Sequence, residues 1–298
     1  PASIHELYIA RGRGDVSGFT VPAMNIRAAS YYTGRALFSA ARELTDRHRA
    51  RFGSSRLPGK PLADIGGKPM IQHVYESTLK ARGLDRVLVA TDDRRIEEAV
   101  QKFGGEVMMT SRHHTSGTDR LAELARKIKA QWLVNVQGDL PFIRAETIVR
   151  AILPMRRNPT LPMGTVCTAI YDAREWHNPN VVKVLANREG FAMYFSRAPI
   201  PYVRQPEFEL SGEKNQSRNG RRLWGFRHLG LYVYRRDFLL KFARLRPTAL
   251  ERIESLEQLR ALENGYTIYV AQVDERSIEV DTPADLKKAA RYFKARAS

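Results

Sequence analysis

A chain of 298 residues that is 43% hydrophobic and 27% charged carries enough apolar material to bury a large core, which excludes fibrous, collagen-like and wholly disordered classes. Its formal net charge of +17 favours polyanionic partners, whether nucleic acid, anionic lipid or phosphorylated substrate, although the basic residues are spread along the chain and not gathered in one tail. No apolar run approaches the roughly 20 residues of a membrane helix, no apolar leader opens the sequence, and the one cysteine, Cys167, has no internal partner, so we read a cytoplasmic protein without membrane insertion.

From Pro58 onward, short β-rich runs alternate with amphipathic helical stretches. Pro69 sits at a favoured first-turn position, and Met70, Ile71, Val74 and Leu79 predict one apolar helix face that Gly83 stops. A strand is expected over 86–91, then a helix capped by Asp92 and Asp93 and ended near Gly104 and Gly105, then a short strand over 106–110. A helix starting at Thr118 or Asp119 leads to a buried strand over 132–136 that Gly138 stops. Further strands are expected over 166–170, 181–185, 191–195 and 230–234, and a polar loop over 204–222. A strand over 266–273 lies between helices over 250–263 and 283–293. No repeat period appears, which argues against a solenoid or propeller.

This rhythm predicts an α/β fold: a mixed, mostly parallel sheet with right-handed crossovers and helices on both faces. Ligands of such sheets bind beyond the carboxyl ends of the strands, which places Asp92 and the Gln137-Gly138-Asp139 turn where chemistry is expected. The stretch RFGSSRLPGK over 51–60 sets Arg51, Arg56 and Lys60 in a Gly/Ser/Pro loop. Small residues let backbone N–H groups approach an anion while the cations neutralise it; the bland alternative is an ordinary basic surface loop. It is not a P-loop, because Pro61 stands where a Ser or Thr would bind magnesium. Asp139 ends one buried strand and Asp281 precedes the last helix. Two carboxylates with phosphate oxygens suit octahedral Mg2+; alternatively, Asp281 merely caps its helix.

Ten segments, in order, resemble the CMP-KDO synthetases (3-deoxy-manno-octulosonate cytidylyltransferases), cytoplasmic enzymes of lipopolysaccharide biosynthesis. They are ARFGSSRLPGKPL at 50–62, GGKPMI at 66–71, VATDD at 89–93, TSGTDRLAE at 115–123, VNVQGDLP at 134–141, NPNVVKV at 178–184, YFSRAPIP at 194–201, RHLGLYVYR at 227–235, LERIESLEQLR at 250–260 and VDTPADL at 280–286. The resemblance implies a Rossmann-like nucleotidyltransferase fold and attack of the anomeric hydroxyl of KDO on the α-phosphorus of CTP, giving CMP-KDO and pyrophosphate. It implies Asp139 and Asp281 as Mg2+ ligands, and Arg51, Arg56 and Lys60 around the triphosphate, with Arg51 and Lys60 also catalytic. Ser116, Gly117 and Gln137 match nucleotide positions. Arg197, His228, Tyr232, Glu257 and Gln258 match the sugar pocket, where without the resemblance His228 would read as a structural partner, Tyr232 as core, and Glu257 and Gln258 as solvated helix positions. A homodimer is implied as well, with the sugar-binding and dimerisation subregion over about 165–265 of a single domain at 50–298.

The sequence departs from the family before residue 50. There the family's basic loop follows an apolar first strand ending in Pro-Ala-Arg at the sheet centre, whereas Glu43, Asp46, Arg47, His48 and Arg49 make this stretch polar. We read 1–49 as an atypical, poorly ordered extension produced by a wrong start or shifted reading frame, leaving the sheet without its central strand. Leu140 and Ala249 stand where the family usually has Glu and Pro. The leading expectation is a KDO cytidylyltransferase using CTP and Mg2+. Its alternatives are a cytidylyltransferase for another sugar acid, such as 8-amino-KDO or a nonulosonate, and an inactive basic scaffold binding nucleic acid. For the last, neither a reading helix nor an aromatic single-strand platform is present, so no specific nucleic acid is expected.

Overall fold

The computed structural model describes residues 6–10, 57–114, 116–204, 222–275 and 279–297. In chain order, β1 (Glu6–Ala10) is followed by the small hairpin β2 (Asp64–Ile65) and β3 (Lys68–Pro69), then α1 (Met70–Leu79), with Pro69 immediately before its first residue. Met70, Ile71, Val74, Tyr75 and Thr78 of α1 are buried, but Leu79 is 55% exposed. Each step of four residues turns the apolar stripe further round the axis, and by the last residue it faces solvent.

β4 (Arg86–Thr91) leads into α2 (Arg94–Lys102), which Asp93 alone caps by accepting from the Arg95 N–H at 2.9 Å. β5 (Val107–Met109) precedes α3 (Gly117–Lys127), whose cap is Ser116, earlier than the sequence predicts. After β6 (Trp132–Gln137) come α4 (Ala145–Arg157), β7 (Met163–Ile170), α5 (Ala173–His177), β8 (Lys183–Ala186), β9 (Ala192–Ser196), β10 (Gly225–Arg235) and α6 (Arg236–Phe242). Neither α4 nor α6 is among the elements the sequence predicts. The expected helix over 250–263 is two, α7 (Ala249–Glu254) and α8 (Leu259–Glu263), parted at Ser255, whose φ of 53° cannot continue an α-helix. β11 (Ile268–Gln272) and α9 (Pro283–Ala297) end the chain.

Among the described residues the strands form one nine-stranded sheet in the order β11-β7-β10-β6-β1-β4-β5, with β8 and β9 attached beside β10, plus the β2-β3 hairpin. β4, β5, β6, β7 and β11 point one way and β1 and β10 the other, so the sheet is mixed with most strands co-directional. One face packs on α3, α6 and α8 through Leu121, Leu124, Phe238, Phe242 and Leu259. The other packs on α1, α2 and α4 through Ile71, Val74, Ile96, Val100, Ile148 and Ile152. β10 serves both cores by alternation, sending Leu229, Leu231 and Val233 to one and Tyr232 and Tyr234 to the other. No helix among the described residues is long and apolar enough to cross a membrane.

The expected gap at the sheet centre is a correction. Glu6–Ala10 lies between β4 and β6, antiparallel to both: Glu6 sits opposite Ala90 and Gln137, and Ala10 opposite Arg86 and Leu133. A vacant slot there would leave two buried rows of backbone N–H and C=O groups unpaired, and a five-residue extended segment satisfies both rows in either direction. Direction still matters. A strand leading straight into the 51–60 loop would end at the Gln137 side of the sheet, whereas β1 begins there.

Candidate active site

The site is assembled by one lysine. Lys60 opens a short 3-10 turn (Lys60–Leu62), entered through Gly59 at φ 68°. Its Nζ donates to Asp139 Oδ2 at 2.9 Å and to Asp281 Oδ1 at 2.8 Å. Carboxylates 142 positions apart in sequence thus meet at one ammonium. Asp139 lies two residues beyond Gln137, the carboxyl end of β6, and the Val280 N–H donates to the Asp139 carbonyl at 3.1 Å, drawing the incoming 280–281 segment alongside. The helix-cap alternative for Asp281 does not hold: Thr282 and Asp285 cap α9 reciprocally, with Thr282 N–H to Asp285 Oδ2 at 2.9 Å and Asp285 N–H to Thr282 Oγ1 at 3.2 Å. A small core of Ile65, Met70, Val280 and Ala289, with Leu286 and Phe293 against it, fixes α9 on the hairpin that follows Lys60. Gly66 is required for that contact, since a Cβ there would lie 2.2 Å from the Phe293 ring.

Burial disfavours the charged form of Lys60, but the charges and hydrogen bonds of Asp139 and Asp281 outweigh it and hold the ammonium above its ordinary value. At neutral pH it is a cation and not a base. Among the described residues, buried Asp139 Oδ1 meets no hydrogen-bond partner, an arrangement that costs about 1–3 kcal/mol unless something meets that oxygen. Magnesium takes one or two carboxylates and completes its shell with phosphates and water, so a free oxygen on Asp139 beside Asp281 is a donor set that fits it. Glu279 lies close enough for its carboxylate to feel both aspartates, and Arg227 Nη2 holds it at 2.7 Å.

Of the expected nucleotide residues, Arg51 and Arg56 lie outside the described residues. Ser116 caps α3, its side chain accepting from the Asp119 N–H at 3.1 Å, and Gly117 opens the helix. Gln137 ends β6 and lies over Gly230 of β10, where a Cβ would meet Gln137 Oε1 at 2.5 Å. Asp92, expected at the crevice, faces buried Arg120 at 3.3 Å, and the Arg120 guanidinium also donates to Thr110 Oγ1. This cluster ties α3 to the ends of β4 and β5.

The sugar-pocket residues form a neighbouring group. His228 is buried between the rings of Phe195 and Tyr232, at centroid distances of 5.1 and 5.2 Å. Its Nε2 lies 2.9 Å from Thr165 Oγ1, which itself donates to the Leu231 carbonyl at 2.7 Å. That assigns Nε2 as the protonated nitrogen and leaves Nδ1 an acceptor. Burial, with Arg227 adjacent, pushes the imidazole down to about 3, so at neutral pH it is uncharged and suits a hydroxyl better than a carboxylate. Glu257 accepts from Thr118 Oγ1 of α3, joining the two halves of the site, and burial raises its carboxyl. Gln258 is buried, and among the described residues its Nε2 meets no partner, unlike the solvated position its helix spacing suggests. The Arg197 guanidinium donates to the carbonyls of Glu254 at 2.8 Å and Pro179 at 3.1 Å, so part of its fork secures backbone.

Three partners escaped the sequence reading. Lys183 is fully buried and donates to the carbonyls of Asn178 at 2.9 Å, Val181 at 2.6 Å and Arg197 at 2.6 Å, pinning the NPNVV turn to the Arg197 strand end. Thr165 orients His228, and Gly230 makes room for Gln137. A lysine or glycine inside a β-rich run is the only signal Lys183 and Gly230 give, and Thr165 gives none.

Comparison with known proteins now decides the family. A family model described as "Cytidylyltransferase" matches residues 49–272. The chain belongs to the cytidylyltransferase family. It is 54% identical over 245 residues to the 3-deoxy-manno-octulosonate cytidylyltransferase of Geobacter sulfurreducens, covering 82% of this chain and 97% of that one. The enzyme of the same name from Syntrophotalea carbinolica is 53% identical, with 82% and 96% covered. Among solved structures, a CMP:2-keto-3-deoxy-manno-octonic acid synthetase complexed with CTP superposes with a TM-score of 0.74 at 46% identity, covering 82% of this cytidylyltransferase and 95% of that chain. The expected family and nucleotidyltransferase fold are therefore borne out.

Proposed function

We infer that the protein is a 3-deoxy-manno-octulosonate cytidylyltransferase, transferring CMP from CTP to KDO with release of pyrophosphate for lipopolysaccharide biosynthesis. The observation that carries this reading within the chain is the Lys60-Asp139-Asp281 convergence with its unpartnered Asp139 oxygen, and identity above 50% to enzymes of that name supports it. The anomeric oxygen of KDO bonds to the α-phosphorus and its hydroxyl proton passes to water as the bond to the β-phosphate bridge breaks, and pyrophosphate departs with that bridging oxygen. Lys60 supplies a fixed positive charge beside the phosphates. Asp139 and Asp281 would hold Mg2+, which when bound gathers phosphate oxygens and offsets charge developing on them. Ser116 and Gly117 bring backbone N–H groups to the nucleotide, and neutral His228 accepts a sugar hydroxyl at Nδ1. Arg51 and Arg56 are assigned to the triphosphate, and Tyr232, Glu257, Gln258 and Arg197 to the sugar, on the family pattern. The test is pyrophosphate release with CTP, Mg2+ and a panel of sugar acids; turnover faster with a nonulosonate or 8-amino-KDO than with KDO would reassign the substrate.

We further propose a cytoplasmic homodimer. Its support is that Tyr171, Met193, Tyr202 and Ile253, four of the five exposed large apolar side chains among the described residues, fall within 165–265. Light scattering of wild type against Ile253→Asp tests it, a dimer becoming a monomer being the expected result.

A further inference from the structure

We propose that the Arg227–Glu279 ion pair is a positioning device that sets the 279–281 segment, and with it Asp281, opposite Asp139. This inference rests on the metal-carboxylate reading above. Residues 279–281 lie in a connecting segment, outside any helix or strand; Asp281 is held by Lys60 at 2.8 Å and by its own N–H on Asp285 Oδ2 at 3.3 Å, Val280 by its N–H on the Asp139 carbonyl and its buried side chain, and Glu279 by its carboxylate on Arg227 at 2.7 Å. Arg227 is well suited to act as a post. It belongs to β10, whose backbone is locked against β6, β7 and β8, and it pairs with Lys183 across the sheet. Its other guanidinium nitrogen is held by Glu175 of α5 at 3.2 Å, so two carboxylates fix the planar fork from different elements.

The electrostatics give the pair a task beyond packing. The Glu279 carboxylate lies within electrostatic reach of Asp139 and Asp281, and Lys60 bonds only the two aspartates. Without Arg227, Glu279 would repel the aspartates or compete for Lys60, and either outcome moves Asp281. Arg227 also neighbours His228 in sequence while facing the opposite side of β10, so the strand that carries the neutral sugar-side imidazole also fixes the metal-side segment.

The experiment compares Arg227→Met and the milder Glu279→Gln with wild type. Amide exchange at Val280 is measured without metal, and binding of Mn2+ with CTP is measured by electron paramagnetic resonance. Removing such an outer partner is expected to weaken Mn2+–CTP binding roughly 10- to 100-fold in Arg227→Met and less in Glu279→Gln, with Val280 exchange accelerated in both. Unchanged Val280 exchange in both variants overturns the proposal. So does faster exchange with unchanged Mn2+ affinity when Asp139→Asn abolishes that affinity. If Asp139→Asn leaves Mn2+ binding intact, the metal reading itself fails, and Val280 exchange alone decides whether the pair positions the segment.

Discussion

The two halves of the site solve opposite problems. Around Lys60 the structure concentrates charge and leaves it incompletely matched: an ammonium between two carboxylates and, among the described residues, one buried carboxylate oxygen without a partner. Around His228 it concentrates polar groups and removes charge: a neutral imidazole held by a threonine that is held by a carbonyl, and a buried lysine spent on three carbonyls. The first region is arranged for an incoming cation and polyanion, the second for hydroxyls. Unmatched charge is costly and is retained where ligand restores the balance, whereas the neutral His228 imidazole already has its Nε2 partner before ligand arrives.

The contrast can be broken most sharply at Asp139. Asp139→Asn removes charge but little volume, and a fall in kcat of at least about 10³ with an unchanged circular dichroism spectrum is expected; near-normal turnover would remove the carboxylate from the chemistry. Lys60→Met leaves Asp139 and Asp281 facing each other. We expect turnover to fall about 10²-fold and unfolding free energy by about 1–2 kcal/mol, discounted for the exposure of Asp281, as read by denaturant titration.

On the neutral side, Lys183→Met removes the ammonium shared by three carbonyls and is expected to cost about 3 kcal/mol in urea unfolding, with KM for the sugar rising more than KM for CTP. His228 gives a pH signature. Its folded pKa is depressed to about 3 from an ordinary value near 6.5, so its contribution is complete above about pH 6.5 and lost as pH falls through that window, at up to about 1.4 kcal/mol per unit. His228→Gln should flatten the slope between about pH 4 and 6.5 in denaturation midpoints. The smallest effect is Gly230→Ala, whose Cβ displaces the far end of Gln137: kcat is expected to drop about tenfold with stability little changed, because the side chain can swing aside.

Much of this was legible from residue order, for identifiable reasons. α2, β4 and β6 carry local signals, a cap and an apolar run, that no distant contact needs to supply. The 51–62 stretch, the 134–141 stretch and Asp281 were legible as a set because their order matches a family. Ser255 was not: nothing in LERIESLEQLR announces a left-handed residue, and the helix breaks there because tertiary packing sends Leu256 and Leu259 into the core. The strand Glu6–Ala10 was not legible either, because ELYIA is a short run in a polar neighbourhood and gains its place only from the slot β4 and β6 leave open.

Sequence by itself determined the alternation of strands and helices, the basic Gly/Ser loop and the identity of the acidic and aromatic candidates, since periodicity, capping and motif order are properties of neighbours along the chain. Only the tertiary structure decided that Lys60 joins Asp139 to Asp281, that His228 is neutral, that Lys183 and Arg227 serve as internal posts, and which way the central strand runs. Those outcomes depend on burial and on groups brought together from opposite ends of the chain, where the balance of desolvation, charge and hydrogen bonding is set by the assembled fold.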